Sequence, residues 1–223
     1  VLERRSFYVR SGSEYRTLED SLDAAIAHTA FFRFYARHIE LDRSLKPGHY
    51  VLEPGMNVVQ VARMLKLGLQ TPVRVTINNV RTRAQLAGKL ARQIEADSAT
   101  IVAALTDPAT ARKAGFDSVT LFSMFIPDTY EFYWTVSPAQ FIERMRREYD
   151  RFWTPQRDAK RQRSGLSRLE VMTLASIVYE ETRQSDEMPR IAGVYINRLR
   201  KGWPLQADPT VKYALQEFGL RRI

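Results

Sequence analysis

The residues best placed to do chemistry are Glu180 and Glu181, which close the run Val171-Met172-Thr173-Leu174-Ala175-Ser176-Ile177-Val178-Tyr179-Glu180-Glu181-Thr182. The spacing predicts a helix, and at about 100° per residue Val171, Leu174, Ala175 and Val178 share one face. Glu181, three residues after Val178, falls on the flank of that face, while Glu180 points nearly the opposite way. A carboxyl held against apolar surface is desolvated, which favours its neutral form, and a neutral carboxyl near pH 7 can give a proton to a leaving oxygen. That is the property of a general acid. The same position equally suits a glutamate that ends a helix or pairs with an arginine.

Residues downstream could surround such an acid. A second helix is expected after Ser185 or Asp186 as N-cap, with Ile191, Val194, Tyr195 and Leu199 as its apolar face, Gly202 as its end and Asn197 off the stripe. In the loop Trp203-Pro204-Leu205-Gln206-Ala207-Asp208-Pro209-Thr210, Asp208 and Pro209 fit an N-cap and first helical position before Val211, Tyr213 and Leu215. Trp203 and Gln206 could meet a polar ring such as a sugar, and a buried turn would use them equally well.

Other catalytic templates fail. With no cysteine, disulfide scaffolds, thiol nucleophiles and thiolate metal sites are excluded. His28, His38 and His49 lie in the first fifty residues, far from any Gly-x-Ser-x-Gly, and there is no P-loop, no GxGxxG after a strand and no His-Glu-x-x-His. The 34 Lys+Arg against 25 Asp+Glu give a formal charge of +9, which points to anionic partners: nucleic acid, a lipid surface or an acidic polymer. The stretch from Arg157 to Arg168 is basic with Asp158 as its one acid, and reads as a solvated turn or an anion-binding segment. No window reaches the roughly 18 apolar residues of a membrane span. The start at Val1 and the stop at Arg221-Arg222-Ile223, just after a helix, suggest a processed or trimmed chain.

The elements that must position these groups begin with strand–turn–helix units. Ser6–Arg10 is strand-like, Gly12 punctuates, and Thr17 opens a helix through Leu22 and Ile26. His49–Leu52 leads through Pro54-Gly55 to Asn57 as N-cap of a helix closed by Gly68, and alternating Val73, Val75 and Ile77 lead to Thr82 as the next cap. Between them Phe31-Phe32-Arg33-Phe34-Tyr35-Ala36-Arg37 reads as a helix with aromatics inward and arginines outward. A dense apolar loop, Leu121 to Tyr130, then breaks the rhythm, and the domain boundary is placed there, between 118 and 119. Ser137-Pro138-Ala139-Gln140 is a capping-box start for a helix burying Phe141, Ile142, Met145, Tyr149 and Phe152.

Three segments, Ala175-Ser176-Ile177-Val178-Tyr179-Glu180-Glu181-Thr182, Val194-Tyr195-Ile196-Asn197-Arg198-Leu199 and Leu205-Gln206-Ala207-Asp208-Pro209-Thr210-Val211-Lys212-Tyr213, closely resemble the endolytic murein transglycosylases of the YceG-like family. Ile126-Pro127-Asp128-Thr129-Tyr130 is similar to that family's Phe-Pro-Asp-Thr-Tyr segment, and Gly48-His49-Tyr50 with Pro54-Gly55-Met56 to its LysM-like region. The likeness covers most of residues 45 to 215 in order. It implies an α+β fold, with a LysM-like accessory region over 1–118 and a mainly helical catalytic domain over 119–223, incomplete at its C-terminus. It implies lytic cleavage of peptidoglycan glycan strands between N-acetylmuramic acid and N-acetylglucosamine, with no cofactor and no metal. The family motif Ala-Ser-Ile-Val-Glu-x-Glu carries its catalytic glutamate second, which is Glu181 here; its first glutamate is replaced by Tyr179, and Glu180 takes the variable position. Substrate contacts are expected from Asn197, Gln206, Asp208, Thr210 and Tyr130. The resemblance further implies an envelope location, on the extracytoplasmic face of the inner membrane, anchored by an N-terminal helix absent here, and admits cell-wall synthesis proteins as partners. Two other readings stand beside it: a peptidoglycan-binding module without catalysis, and nucleic-acid binding through the +9 charge, which no recognised nucleic-acid motif accompanies.

Overall fold

The structure, a computed structural model, describes residues 1, 3–23 and 25–219, so the expected Arg221-Arg222-Ile223 end lies outside the described residues. It is α+β, mostly helical with two small sheets. Each of its two compact units is assembled from two stretches of chain: Val1–Ala104 with Pro127–Phe141, and Leu105–Ile126 with Ile142–Ile223. The sequence reading places a single boundary between 118 and 119, whereas the chain passes between the units three times.

In the first unit, β1 (Arg5–Val9) is followed by α1 (Arg16–Asp23), α2 (Thr29–His38) and α3 (Leu41–Ser44), and β2 (Gly48–Leu52) returns to pair antiparallel with β1, Phe7 opposite Tyr50. The helix α4 (Val58–Leu67) starts as its residues dictate. Asn57 accepts from the Gln60 amide at 2.9 Å, and its own amide donates to the Gln60 side chain at 2.9 Å. Gly68, at φ 68°, closes α4 in the left-handed region, where a side chain would be strained. Val58, Val61, Ala62 and Leu65 meet Phe32, Ala36, Leu41, Tyr50 and Leu52 in one apolar core. Only part of the expected aromatic-in arrangement of α2 holds: Phe32 and Ala36, four apart, are buried, while Phe31 and Phe34 fall at other azimuths and are exposed with Arg33 and Arg37.

Next come β3 (Val73–Ile77) and α5 (Arg83–Leu90), capped by Thr82, whose hydroxyl accepts from the Gln85 amide at 3.2 Å. After α6 (Ser98–Thr106) and α7 (Pro108–Lys113), the segment read from sequence as a loop is a 3-10 turn, Thr120–Met124, and then β4 (Asp128–Phe132). This strand pairs antiparallel with β3, Val75 opposite Tyr130, and buries Tyr130 and Phe132 while exposing Asp128 and Glu131. That period of two, masked by the apolar residues before it, draws the chain back into the first unit.

The second unit is helical. The helix α8 (Pro138–Phe152) starts in the first unit, where the Ser137 capping box forms as expected, Gln140 N to Ser137 Oγ at 3.2 Å and Ser137 N to Gln140 Oε1 at 3.0 Å, and runs on from Ile142 in the second, where Met145 and Tyr149 are buried. It is followed by α9 (Pro155–Ser164), α10 (Arg168–Glu181), α11 (Met188–Arg200) and α12 (Asp208–Leu215). The helix α10 packs against α9, α11, α12 and the 3-10 turn. Leu174, Ile177, Val178, Tyr195 and Ala207 form the small core that ties α10, α11 and the start of α12 together.

Candidate active site

Helix α10 carries the acid from a firm start to an exposed end. Ser167 caps it, accepting from the Glu170 amide at 3.2 Å while its own amide donates to Glu170 Oε2 at 2.7 Å; this donation to the carboxylate, first among its causes, holds the Glu170 carboxyl below its ordinary range. Leu174, Ile177 and Val178 anchor the helix in the core. Its last turn holds Glu180 and Glu181 and no basic residue, the reverse of what the negative end of the helix dipole prefers.

Glu181, the final residue of α10, is exposed, so the apolar shield expected from sequence is absent. The reason is local: the buried stripe stops at Val178, and α10 ends before a further turn could cover the carboxyl. What the structure supplies instead is a fixed partner. The hydroxyl of Tyr195, a residue 7% exposed on α11, donates to Glu181 Oε1 at 2.8 Å. Burial first, then the hydrogen bond and the Glu181 charge, push the Tyr195 hydroxyl up to about 12, with Asp208 adding to the effect and Arg198 opposing it. Tyr195 therefore stays protonated and donates. The second carboxyl oxygen of Glu181 has no hydrogen-bond partner among the described residues.

Glu180 is engaged elsewhere. It pairs with Arg183 at 3.5 Å, and the Arg183 guanidinium lies 3.8 Å from the centre of the Tyr179 ring. The turn between α10 and α11 is tied by Thr182, which donates to Glu187 at 2.6 Å and accepts from the Gln184 amide at 3.0 Å. Helix α11 begins at Met188 after Glu187, not after Ser185 or Asp186 as expected, because this tie extends the turn.

The expected substrate contacts divide by place. Asp208 is not the N-cap of α12; Ala207 is, and Asp208 is the first helical residue, exposed, without a side-chain hydrogen bond among the described residues, and electrostatically coupled to Tyr195. Thr210 instead ties the helix start, its hydroxyl donating to the Ala207 carbonyl at 2.7 Å. Gln206, at φ 52°, accepts from Arg198, whose Nε also donates to the Pro204 carbonyl at 2.9 Å, so one arginine holds the whole loop. Asn197 is exposed, two residues and so about 200° round α11 from Tyr195, away from the Glu181 side. Tyr130 is buried in β4 of the first unit, its ring 6.5 Å from that of Phe132. Two further aromatics are open on the second unit: Trp203, 56% exposed beneath the Lys201 ammonium at 4.7 Å, and Tyr213, 53% exposed.

Tyr195 is the residue that sequence reasoning placed only as packing. The available signal was a tyrosine on an apolar stripe, since a buried ring with a hydroxyl needs a polar partner at its tip. Among the described residues no group of three or more His, Cys, Asp or Glu side chains could hold a metal ion, and no helix is long and apolar enough to cross a membrane.

A family profile described as YceG-like matches residues 7–222. The chain is 24% identical over 241 aligned residues to an endolytic murein transglycosylase of Streptococcus pneumoniae, covering 95% of this chain and 43% of the relative. It is also 24% identical over 198 residues to one of Bacillus subtilis, covering 82% and 55%. It thus spans about half the length of the curated relatives it matches. A crystal structure of a YceG-like protein from Listeria monocytogenes superposes with a TM-score of 0.61 at 26% identity, covering 99% of this chain and 78% of that one.

Proposed function

The chain belongs to the YceG-like family, and from that premise we propose that it takes part in lytic cleavage of peptidoglycan glycan strands, with Glu181 as the acid–base group. The observation that carries the reading is the Glu181 carboxyl itself: set at the helix end least favourable to it, gripped through one oxygen by Tyr195, and open at the other. Residues that break a local stability rule tend to be functional.

In this reading the protonated carboxyl gives its proton to the glycosidic oxygen as an oxocarbenium-like centre develops at the muramic acid. As carboxylate it then takes the proton from that sugar's own C6 hydroxyl, whose oxygen closes a 1,6-anhydro ring. One carboxyl serves both steps, and no water or second carboxylate acts as nucleophile, unlike ordinary glycoside hydrolases. The cover absent from the free protein is supplied by the bound glycan, which displaces water from the carboxyl and lets it act as an acid. General acid catalysis contributes about 10²–10⁴-fold, so positioning by Tyr195 and sugar contacts from Gln206 and Asp208, in the same unit as Glu181, supply more. The strand–helix units of the first unit serve as LysM-like glycan supports, and the polymer's own location puts the site on the outer side of the cytoplasmic membrane.

The exposure of Glu181, together with open Trp203 and Tyr213, favours a second reading in which the protein only holds glycan. Incubation of purified glycan strands with the protein, followed by mass spectrometry, separates the two. Lysis gives muropeptides one water lighter than hydrolysis products; ordinary reducing ends, or intact strands, would leave only binding.

A further inference from the structure

A groove of about 430 Å³ opens between the end of α9 and the last turns of α11, the helix that also carries Tyr195. Its floor is apolar, from Leu166, Ile196 and Leu199, and its rim carries Arg163 and Arg200 with Ser164. Ligand-binding clefts fall in the range of about 300–1,000 Å³ and combine an apolar lining with a few polar groups, as this one does.

The two arginines need explaining. Cations in the last turn of a helix complement its dipole, and both residues sit there. Yet the structural work at these ends is done by others. Arg161 donates to the Leu166 carbonyl at 2.8 Å and pairs with Asp158 at 2.8 Å, and Arg198 holds Pro204 and Gln206. The one acid of α9, Asp158, is shared between Arg161 and Arg168, whose bonds pull its carboxyl down to about 2. Among the described residues Arg163 and Arg200 have no hydrogen bond and no ion pair, and both are exposed at the groove. Two idle guanidinium groups over an apolar floor suit a carboxylate-bearing chain with aliphatic parts, since the planar fork of arginine matches a carboxylate.

Position adds the rest. Ile196 directly follows Tyr195, and Arg200 lies about 7.5 Å further along the same helix axis. A glycan held with its scissile bond at Glu181 would bring what hangs from its muramic acid to this groove. We propose that the groove between α9 and α11 is a subsite for the acidic peptide carried by the glycan, its carboxylates held by Arg163 and Arg200. This rests on the glycan reading above for the presence of the peptide, but its test does not need turnover.

The probe is the synthetic tripeptide Ala-γ-Glu-diaminopimelate, titrated into the whole chain by calorimetry or NMR. We expect saturable binding that weakens at least about tenfold when the peptide carboxylates are amidated, and equally in an Arg163→Gln/Arg200→Gln double variant whose circular dichroism is unchanged. The Arg163→Lys/Arg200→Lys variant should recover part of it. Equal binding of acidic and amidated peptide, no binding at millimolar peptide, an unaffected double variant, or inorganic phosphate binding as tightly as the peptide would each overturn the proposal. A chain that binds the peptide through these arginines but cleaves no glycan would sink the lytic reading and leave the subsite standing.

Discussion

Tyr195→Phe isolates the one contact on which the proposed site depends. The substitution keeps the buried ring in the core with Leu174, Ile177 and Val178 and removes only the hydroxyl that donates to Glu181 at 2.8 Å. A typical intramolecular hydrogen bond contributes about 0.5–1.5 kcal/mol, and bonds to charged groups more. Because Glu181 is exposed, water can replace the lost donor, so the lower figure of about 0.5 kcal/mol applies. For a unit of about 100 residues that is a fall in Tm of roughly 2–4 °C. The effect on turnover should be larger. A carboxyl freed to rotate loses alignment with the glycosidic oxygen, which we expect to lower kcat about 10–100-fold, equivalent to about 1.4–2.7 kcal/mol, with KM nearly unchanged. The assay is the initial rate of anhydro-ended product from defined glycan strands, beside a thermal melt of the same sample. A Phe variant with wild-type kcat would refute the positioning role, and a kcat loss matched by general unfolding would reduce Tyr195 to a core residue.

Glu181→Gln should abolish lysis while raising stability by up to about 1 kcal/mol, since it removes a charge from the wrong end of α10; Glu180→Gln should cost less than about tenfold in rate, and the reverse ranking in the product assay would show that the acid is misassigned. Gly68→Ala forces a side chain into the left-handed region at φ 68°, with its Cβ 3.2 Å from that of Lys46, and should destabilise the first unit by about 1–2 kcal/mol in denaturant melts. The Asp158 carboxyl, pulled down to about 2 chiefly by its hydrogen bonds to Arg168 and Arg161, stabilises the folded state above its unfolded value of about 3.9, and that stabilisation is lost as pH falls from about 4 towards 2. Acid titrations followed by circular dichroism should therefore show less stability loss across that window in Asp158→Asn, and an unchanged acid limb would count against the pairing.

What could be read from the letters was chiefly local. Asn57 with Gln60, Thr82 with Gln85 and Ser137 with Gln140 cap helices as their three-residue spacing implies, because a cap involves only neighbours. The strand Asp128–Phe132 is hidden in the sequence because its partner, Val73–Ile77, is distant in the chain and nothing local announces the pairing. At the candidate site, the helical period put Glu181 on the flank of the apolar stripe, but the period cannot tell where a helix stops, and Glu181 is its last residue. The 2.8 Å bond from Tyr195 joins residues on two helices whose crossing no spacing rule predicts. Asp before Pro is a common helix start and points to Asp208 as the cap, yet the helix begins one residue earlier, at the Ala207 cap.

The return of Asp128–Phe132 to Val73–Ile77 bears on biosynthesis. During translation at about 5–20 residues per second, the earlier strand would wait about 3–10 s for its mate to leave the ribosome. Throughout that interval Val73, Val75 and Ile77 would present an open hydrogen-bonding edge, a template for stray pairing with other nascent chains. Arg74, which alternates with them, is the kind of charged gatekeeper that would blunt such mispairing while the rest of the polypeptide is made.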